Sequence, residues 1–419
     1  MGGVLGGPGL GGRLGRRAFL RAAALGGGAL ALGCQPSAGP GAGSAASGGT
    51  SSGGAASSAG GVAGAVSGTA GGAAAGGGWE ARWDALVEAA KAEGLLVMSG
   101  PPTPEVRTQV PGAFKRRFGI EVEYLGGRTT ELMPKLKAER LAGAYTLDAM
   151  IAGAQSLYTN AYPEKMLDPI PPVLVHPEAT DPSKWVLGHP WYMDPDQQYI
   201  LRLANYVTSG IALNTQFVDP TPIKSYRDLL DPRYRDKISV WDPIRPGSGW
   251  NSANYFLHQL GEDFVKGLYQ DQQPGVSTDD RQLSDWMARG RYPLSLGLAS
   301  DDIQRLQNDS FPVEVLADLA DAPGYVSSGF GLAVLVNQAP HPNAAKLFIN
   351  WIAMKEGNET FNRAQVTVST RTDVDNSWAP AYMVPRPGVD YFDTYDWEFT
   401  LNGRKPEAVE HLRQLTGMS

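Results

Sequence analysis

The groups best suited to chemistry in this chain sit in short loops. Arg128 follows Gly126 and Gly127 and precedes Thr129 and Thr130. A planar guanidinium placed there suits a carboxylate or phosphonate, or a bicarbonate beside a metal; the plainer alternative is a surface pair with Glu131. Pro246, Gly247, Ser248, Gly249, Trp250 and Asn251 put backbone donors and a hydroxyl at a helix start, a ready anion site. The run looks like GxGxxG but ends in Ser252, and no dinucleotide is expected on it. Ser300, Asp301 and Asp302 suit a ligand amine, a carboxylate pair, or the cap of the next helix. Tyr206, Trp241, Trp250 and Tyr325 offer aromatic area for a pocket wall or for a core. The five histidines, at 176, 189, 258, 341 and 411, show no i,i+4 pairing and no HExxH phrase. GxSxG occurs only as Gly49-Thr50-Ser51-Ser52-Gly53, inside a Gly/Ala/Ser run, and Cys34 is the single cysteine. Neither a catalytic zinc nor a Ser or Cys nucleophile is supported, and no catalytic residue, metal or cofactor is expected.

The elements that must position these loops repeat. Trp83, Leu86, Val87 and Ala90 recur at helical spacing before Gly94. Leu95–Met98 is a short buried strand ending in Ser99, Gly100, Pro101 and Pro102. Val106, Val110, Phe114 and Phe118 predict a second helix, broken at Pro111-Gly112. Residues 120–124 alternate as a strand, 131–141 read as a helix with Pro134 in its first turn, and Asp148–Ile151 is another strand. Strand, loop and helix thus repeat three times, as in a parallel sheet covered by helices. Ligands of such sheets bind at the loops beyond the strands' carboxyl ends. Here those loops are Ser99–Thr103, Gly126–Thr130 and Gly153–Ser156, so Gly100, Thr103, Thr129 and Gln155 join Arg128 as candidates. Farther on, Tyr206–Asn214 and Tyr325–Val336 read as two long extended segments. Between them a strand at Ile238–Trp241 feeds the Ser248 loop, and one at Pro293–Leu298 feeds Ser300 and Asp301. A helix follows from Pro342, with Ala344, Leu347, Phe348, Trp351 and Ile352 on one face. The segment from Trp378, rich in aromatics and prolines, is expected to pack on the first lobe.

The amino terminus sets the compartment. Arg16, Arg17 and Phe19 precede an uncharged Ala/Leu/Gly run that ends at Cys34. That run is shorter than the ~20 residues needed to span a bilayer, so it reads as a signal peptide. Paired arginines mark the twin-arginine export route, and Ala31-Leu32-Gly33-Cys34 has the form of a lipoprotein processing site, with an uncleaved membrane anchor as the alternative. A lipidated Cys34 holds the protein to the outer face of the cytoplasmic membrane, at the cell surface or in a periplasm, and leaves no thiol for disulfides. Residues 37–78 are almost all Gly, Ala and Ser, with no charge and no aromatic. Such a linker cannot bury enough surface to fold, and its ~42 residues reach ~35 Å. Without the four leader arginines, 32 basic residues face 43 acidic ones, a net of −11. Nucleic acid and anionic lipid are poor partners for that balance.

Three phrases resemble the type-II periplasmic binding proteins, in the family of extracellular solute-binding lipoproteins of ABC transporters. They are Arg128-Thr129-Thr130-Glu131-Leu132 with Lys135–Arg140 and Asp148–Gly153; Leu229-Leu230-Asp231-Pro232 ahead of Lys237–Val240; and Gly331–Val336 with Ala339–Lys346. The resemblance covers roughly Trp83 to Thr370. It implies an α/β fold of two lobes, each a sheet flanked by helices, joined by two hinge crossings. The corresponding divisions are 1–33 signal peptide, 34–78 lipidated Cys and linker, 79–205 first lobe, 206–325 second lobe, and 326–419 return to the first lobe with an extension. It also implies a monomer that captures a small anionic or organic solute between the lobes and delivers it to ABC permease subunits. Micromolar affinity needs about −8 kcal/mol, while one arginine contact supplies roughly 1.5–3 and a helix start up to ~1. Contacts from both lobes are therefore required. Ferric-ion binders of this branch coordinate iron with adjacent tyrosines and a synergistic anion. This chain has no adjacent tyrosine pair, and Leu298-Ala299 stand where the pair is expected, so ferric binding is the alternative. An extracellular hydrolase using Asp301-Asp302 or Asp279-Asp280 is the alternative from another class; glycosidases need carboxylates ~5–10 Å apart across a cleft, which adjacent residues rarely provide.

Overall fold

The computed structural model describes residues 78–418 apart from 209, 318 and 323. The leader, Cys34 and nearly all of the linker lie outside the described residues.

The first sheet is built from β1 (Leu95–Gly100), β2 (Glu121–Gly126), β3 (Ala149–Ala152), β4 (Leu167–Asp168), β5 (Leu201–Arg202) and a late strand, Leu332–Val336. β1 pairs in parallel with β2, Gly100 opposite Gly126, and with β3, Met98 opposite Ala149. The late strand runs antiparallel to β3, Val334 opposite Met150. Alternation along these strands feeds two cores at once. Leu96, Met98, Ile151 and Leu335 point into one cluster with Phe114, Phe348 and Trp351. Val97, Met150, Val334 and Val336 point into the other with Leu157 and Tyr158. With both faces covered, the strands are near-continuous apolar runs.

The second sheet contains β7 (Ile211–Asn214), β8 (Ile238–Trp241), β9 (Gly275–Ser277), β10 (Leu294–Leu296) and β11 (Val313–Leu316), in the order β11-β7-β10-β8-β9. Ile211, Leu213, Val240 and Leu294 pack on the helix Ser248–Leu260, and Ala212, Trp241 and Val313 pack on the helices after β9 and β10. The protein is thus a two-lobed α/β structure.

Between the two sheets lies a short ribbon. β6 (Tyr206–Val207) pairs antiparallel with β12 (Tyr325–Ser327), and β14 (Phe392–Asp393) adds a parallel third strand. The two segments expected to be long strands are therefore each divided: β6 from β7, and β12 from β13 (the late strand Leu332–Val336). A chain crossing between lobes must leave one sheet before joining the other. At the second crossing Gly329 takes φ +54°, and a Cβ there would stand 2.5 Å from the Tyr206 hydroxyl.

Two further expectations are corrected. The helix Pro104–Phe118 runs unbroken through Pro111. Val106, Val110, Ala113, Phe114 and Phe118 are all buried along it, and their burial exceeds the ~3 kcal/mol that an interior proline costs. The carboxyl-terminal segment does not pack on the first lobe alone. Trp397 stacks 4.4 Å from Tyr158 of the first lobe, Phe399 lies 6.0 Å from Trp250 of the second, and Leu412 and Leu415 are buried in the second core. Arg202, wholly buried beneath Trp191, binds Asp393 and fixes β14 to the first lobe.

Candidate functional site

A cavity of about 610 Å³ opens between the lobes, within the ~300–1,000 Å³ of small-molecule sites. Its first-lobe wall carries Thr103, Arg128, Thr129 and Gln155, its second-lobe wall Ser248, Trp250, Asn251, Ser300 and Asp301, and its floor Tyr206 and Tyr325 of the crossing ribbon. The loops beyond β1, β2 and β3 converge because parallel neighbours end together. The loops beyond β8 and β10 do the same on the other side.

Two candidates lie elsewhere. Gly100 ends β1 beneath the hydroxyl of Tyr124, where a Cβ would approach to 2.3 Å; it is a packing glycine. Trp241 is buried in the second lobe rather than walling the cavity. Its indole nitrogen donates to Asp280 Oδ1 at 2.8 Å, and the Arg128 guanidinium lies over its ring at 4.7 Å. Arg128 does line the cavity, but it is neither free nor paired with Glu131: it binds Asp280, from the opposite lobe.

Asp280 and Asp302, weighed above only as members of adjacent acidic pairs, line the cavity, as do Arg305, Gln365, Tyr382 and Tyr395, which the sequence reading did not select. Asp302 pairs with Arg305 at 2.6 Å. Burial is the main cause that raises Asp280, Asp301 and Asp302 above the ordinary carboxylate range, and mutual repulsion adds to it. Gln365 accepts the Thr103 hydroxyl at 3.1 Å. Burial pushes Tyr325 and Tyr395 up to about 12. Tyr395 donates to Gly329 O at 2.9 Å, and Tyr325 shares a 2.7 Å hydrogen bond with Ser252.

Three helix starts on the cavity wall, those of Pro104–Phe118, Thr129–Leu141 and Ser248–Leu260, leave their first-turn amides without a side-chain cap from the N-cap residue. Two helices that begin elsewhere borrow carboxylates. Glu93 accepts the first-turn amides of Pro342–Ala353, and Glu178 accepts the Lys355 amide of Lys355–Gln365. Orphan donors at a helix start favour an anion.

A sequence model described as bacterial extracellular solute-binding protein matches residues 112–382. The chain belongs to that family. Such binding proteins take up small solutes and deliver them to ABC permeases. This solute-binding protein is 25% identical over 292 residues to an uncharacterized protein of Haemophilus influenzae, covering 66% of this chain and 77% of that one. Solved structures share its fold. AfuA from Actinobacillus pleuropneumoniae, with fructose-6-phosphate bound, superposes with a TM-score of 0.61 at 16% identity, over 77% of this chain and 99% of its own. Iron-bound HitA from Pseudomonas aeruginosa gives 0.59 at 16%, with the same coverage. A substrate-binding protein of an ABC transporter from Agrobacterium tumefaciens gives 0.60 at 15%, over 77% and 94%.

Proposed function

We propose that this solute-binding protein captures a small organic solute through an anionic group in the cleft between its lobes and passes it to a permease. The observation that carries this reading is the pair of uncapped helix starts facing the cavity from opposite lobes, at Thr129 and at Ser248. Thr103, Gln155, Asn251 and Ser300 supply polar contacts, and Tyr206, Trp250 and Tyr325 supply apolar area. The lobes are proposed as 79–205 and 206–325, with 326–419 returning to the first and ending in an extension that reaches both. A twin-arginine signal and a lipid on Cys34 anchor the chain outside the cytoplasmic membrane, and the linker lets a monomer reach its permease.

The neighbouring iron-bound structure, and the four tyrosines on the cavity wall, favour ferric binding as the second reading. Against it, Tyr325 and Tyr395 already have hydroxyl partners, and burial disfavours their tyrosinates. Tryptophan fluorescence and thermal shift with carboxylates, phosphate esters, phosphonates and a ferric salt with carbonate separate the two. A response to the organic acids alone supports the main reading, and a response to ferric carbonate alone replaces it. Silence to the whole panel removes both.

A further inference from the structure

We propose that residues 392–404 act as a strap between the lobes, a third connection that limits how far the cleft opens, with Tyr395 holding the hinge at Gly329. The proposal concerns the motion of the cleft and stands whichever solute enters it.

The strap changes sides twice. Phe392 packs 4.7 Å from His258 and 6.0 Å from Tyr255, both on the second-lobe helix Ser248–Leu260. Asp393 binds the wholly buried Arg202 of the first lobe, and the Tyr395 carbonyl accepts the Tyr158 hydroxyl at 2.9 Å. Trp397 then stacks on Tyr158 at 4.4 Å and on Tyr162 at 5.0 Å. Phe399 returns to the second lobe, 6.0 Å from Trp250. Arg404 ends the run over the same Trp250 ring at 5.5 Å and donates to the Ile244 carbonyl at 3.3 Å.

The shortness of the span decides what this run can do. Trp397 and Phe399 both belong to the helix Trp397–Gly403, where two residues advance only ~3 Å along the axis. Fully extended, they would still span no more than ~7 Å. Tyr158 follows the first-lobe cavity loop Gly153–Ser156, and Trp250 stands in the first turn of a helix that begins on the second-lobe wall. Opening that draws these walls apart must therefore unstack one ring or unwind the helix between them. Thr394, Tyr395 and Thr400 line the cavity, so the strap crosses its floor.

The same segment grips the hinge. The second crossing passes from β12 to β13 through Gly329, whose φ of +54° suits a glycine. Its amide donates to the Ser327 hydroxyl at 3.0 Å, and its carbonyl accepts the Tyr395 hydroxyl at 2.9 Å. Hinges absorb lobe motion as φ and ψ changes at a few residues. A glycine tied through both of its backbone groups resists such changes.

The test is double electron–electron resonance on the full-length chain without solute, with spin labels on Leu141→Cys and Arg289→Cys in a Cys34→Ser background. Both labelled positions are exposed, at the far ends of helices that start on opposite cavity walls. Arg128→Ala is carried throughout, so that the Arg128–Asp280 contact does not mask the strap. Adding Trp397→Ala with Phe399→Ala is expected to move the long edge of the distance distribution outward by several ångström. Tyr395→Phe, which removes a single hydroxyl, is expected to move it in the same direction by less, and it serves alone where the double variant fails to fold. A long edge unchanged in every folded variant overturns the strap. An edge that moves for the ring variant but not for Tyr395→Phe keeps the strap and overturns the hold on Gly329.

Discussion

Arg128 and Asp280 meet across the cleft, Nη2 to Oδ2 at 2.5 Å, although they belong to opposite lobes and stand 152 positions apart. Asp280 is held in turn by the Trp241 indole, and the same indole ring lies beneath the guanidinium. The three groups form a closed contact that holds the lobes together at one edge of the cavity.

Opening that contact is the first expected outcome. The pair is about a third exposed on each side, so solvent screening limits it to roughly 0.2–1 kcal/mol. Stacking on Trp241 adds about 0.5–1 kcal/mol. Arg128→Ala is then expected to lower the closed-to-open ratio of the unliganded protein by about three- to thirty-fold. Small-angle scattering should show a larger radius of gyration than the wild type. Arg128→Lys is expected to restore little, because an ammonium cannot both fork to the carboxylate and stack. Identical scattering curves for all three proteins would remove the contact from any part in closure.

The helix start at Ser248 makes the second. A Cβ on Gly249 would come within 2.4 Å of the Asp242 carbonyl oxygen and 2.7 Å of the Trp241 carbonyl carbon. Both are backbone atoms of the strand end and its loop, so neither can swing aside. Gly249→Ala must shift the first turn away from β8 and spoil the alignment of its amides. Loss of about 1–3 kcal/mol of stability is expected, as for overpacked sites. Titration with the best anionic probe should show affinity falling ten-fold or more. Wild-type affinity in this variant would mean that the Ser248 amides do not meet the ligand.

What the sequence disclosed follows from where the information is local. Strand-loop-helix order, the apolar runs of β1 and β3 and the loops at strand ends are set by neighbours a few residues apart. Local order sets Thr103, Arg128 and Gln155 at one sheet edge and Ser248 and Asp301 at strand ends farther on, while only the resemblance to a two-lobed family and the affinity required set them across one cleft. The partner of Arg128 was not, because Asp280 sits at a helix start with no signal beyond an adjacent acid. Trp241 shows the limit of residue type: an aromatic at a strand end suits a wall or a core, and only its hydrogen bond to Asp280 distinguishes them. The long extended runs at 206–214 and 325–336 hid their breaks, since alternation continues across a change of sheet. The segment after Trp378 reads as irregular because its partners are drawn from both lobes.

Acidity supplies the third outcome. Asp280, Asp301 and Asp302 are all raised by burial, with Arg128 and Arg305 pulling the other way. A carboxyl that is raised in the folded state binds its proton more readily there than in the unfolded chain. Its contribution to stability is full below the unfolded value and is lost as pH rises through the folded one. The melting temperature of the unliganded protein is therefore expected to carry a cleft contribution that declines from about pH 4 upward. Asp301→Asn should flatten that slope. A slope unchanged in Asp301→Asn would place the source of any pH dependence outside the cleft.

The carboxyl-terminal segment gives the last. It leaves the ribbon at β14, lays Trp397 on Tyr158 and Tyr162 of the first lobe, then sets Phe399 against Trp250 and buries Leu412 and Leu415 in the second. A segment anchored in both cores couples their unfolding, because neither lobe can melt without releasing it. Leu412→Ala loosens only the second anchor and should cost about 2–4 kcal/mol. Ending the chain after Tyr395 removes both anchors at once. Calorimetry of the wild type is expected to show one transition, and the shortened chain two, with the second lobe melting first because its core loses Leu412 and Leu415 outright. A single transition at the wild-type temperature in the shortened chain would show that the ribbon of β6, β12 and β14 alone holds the lobes in step.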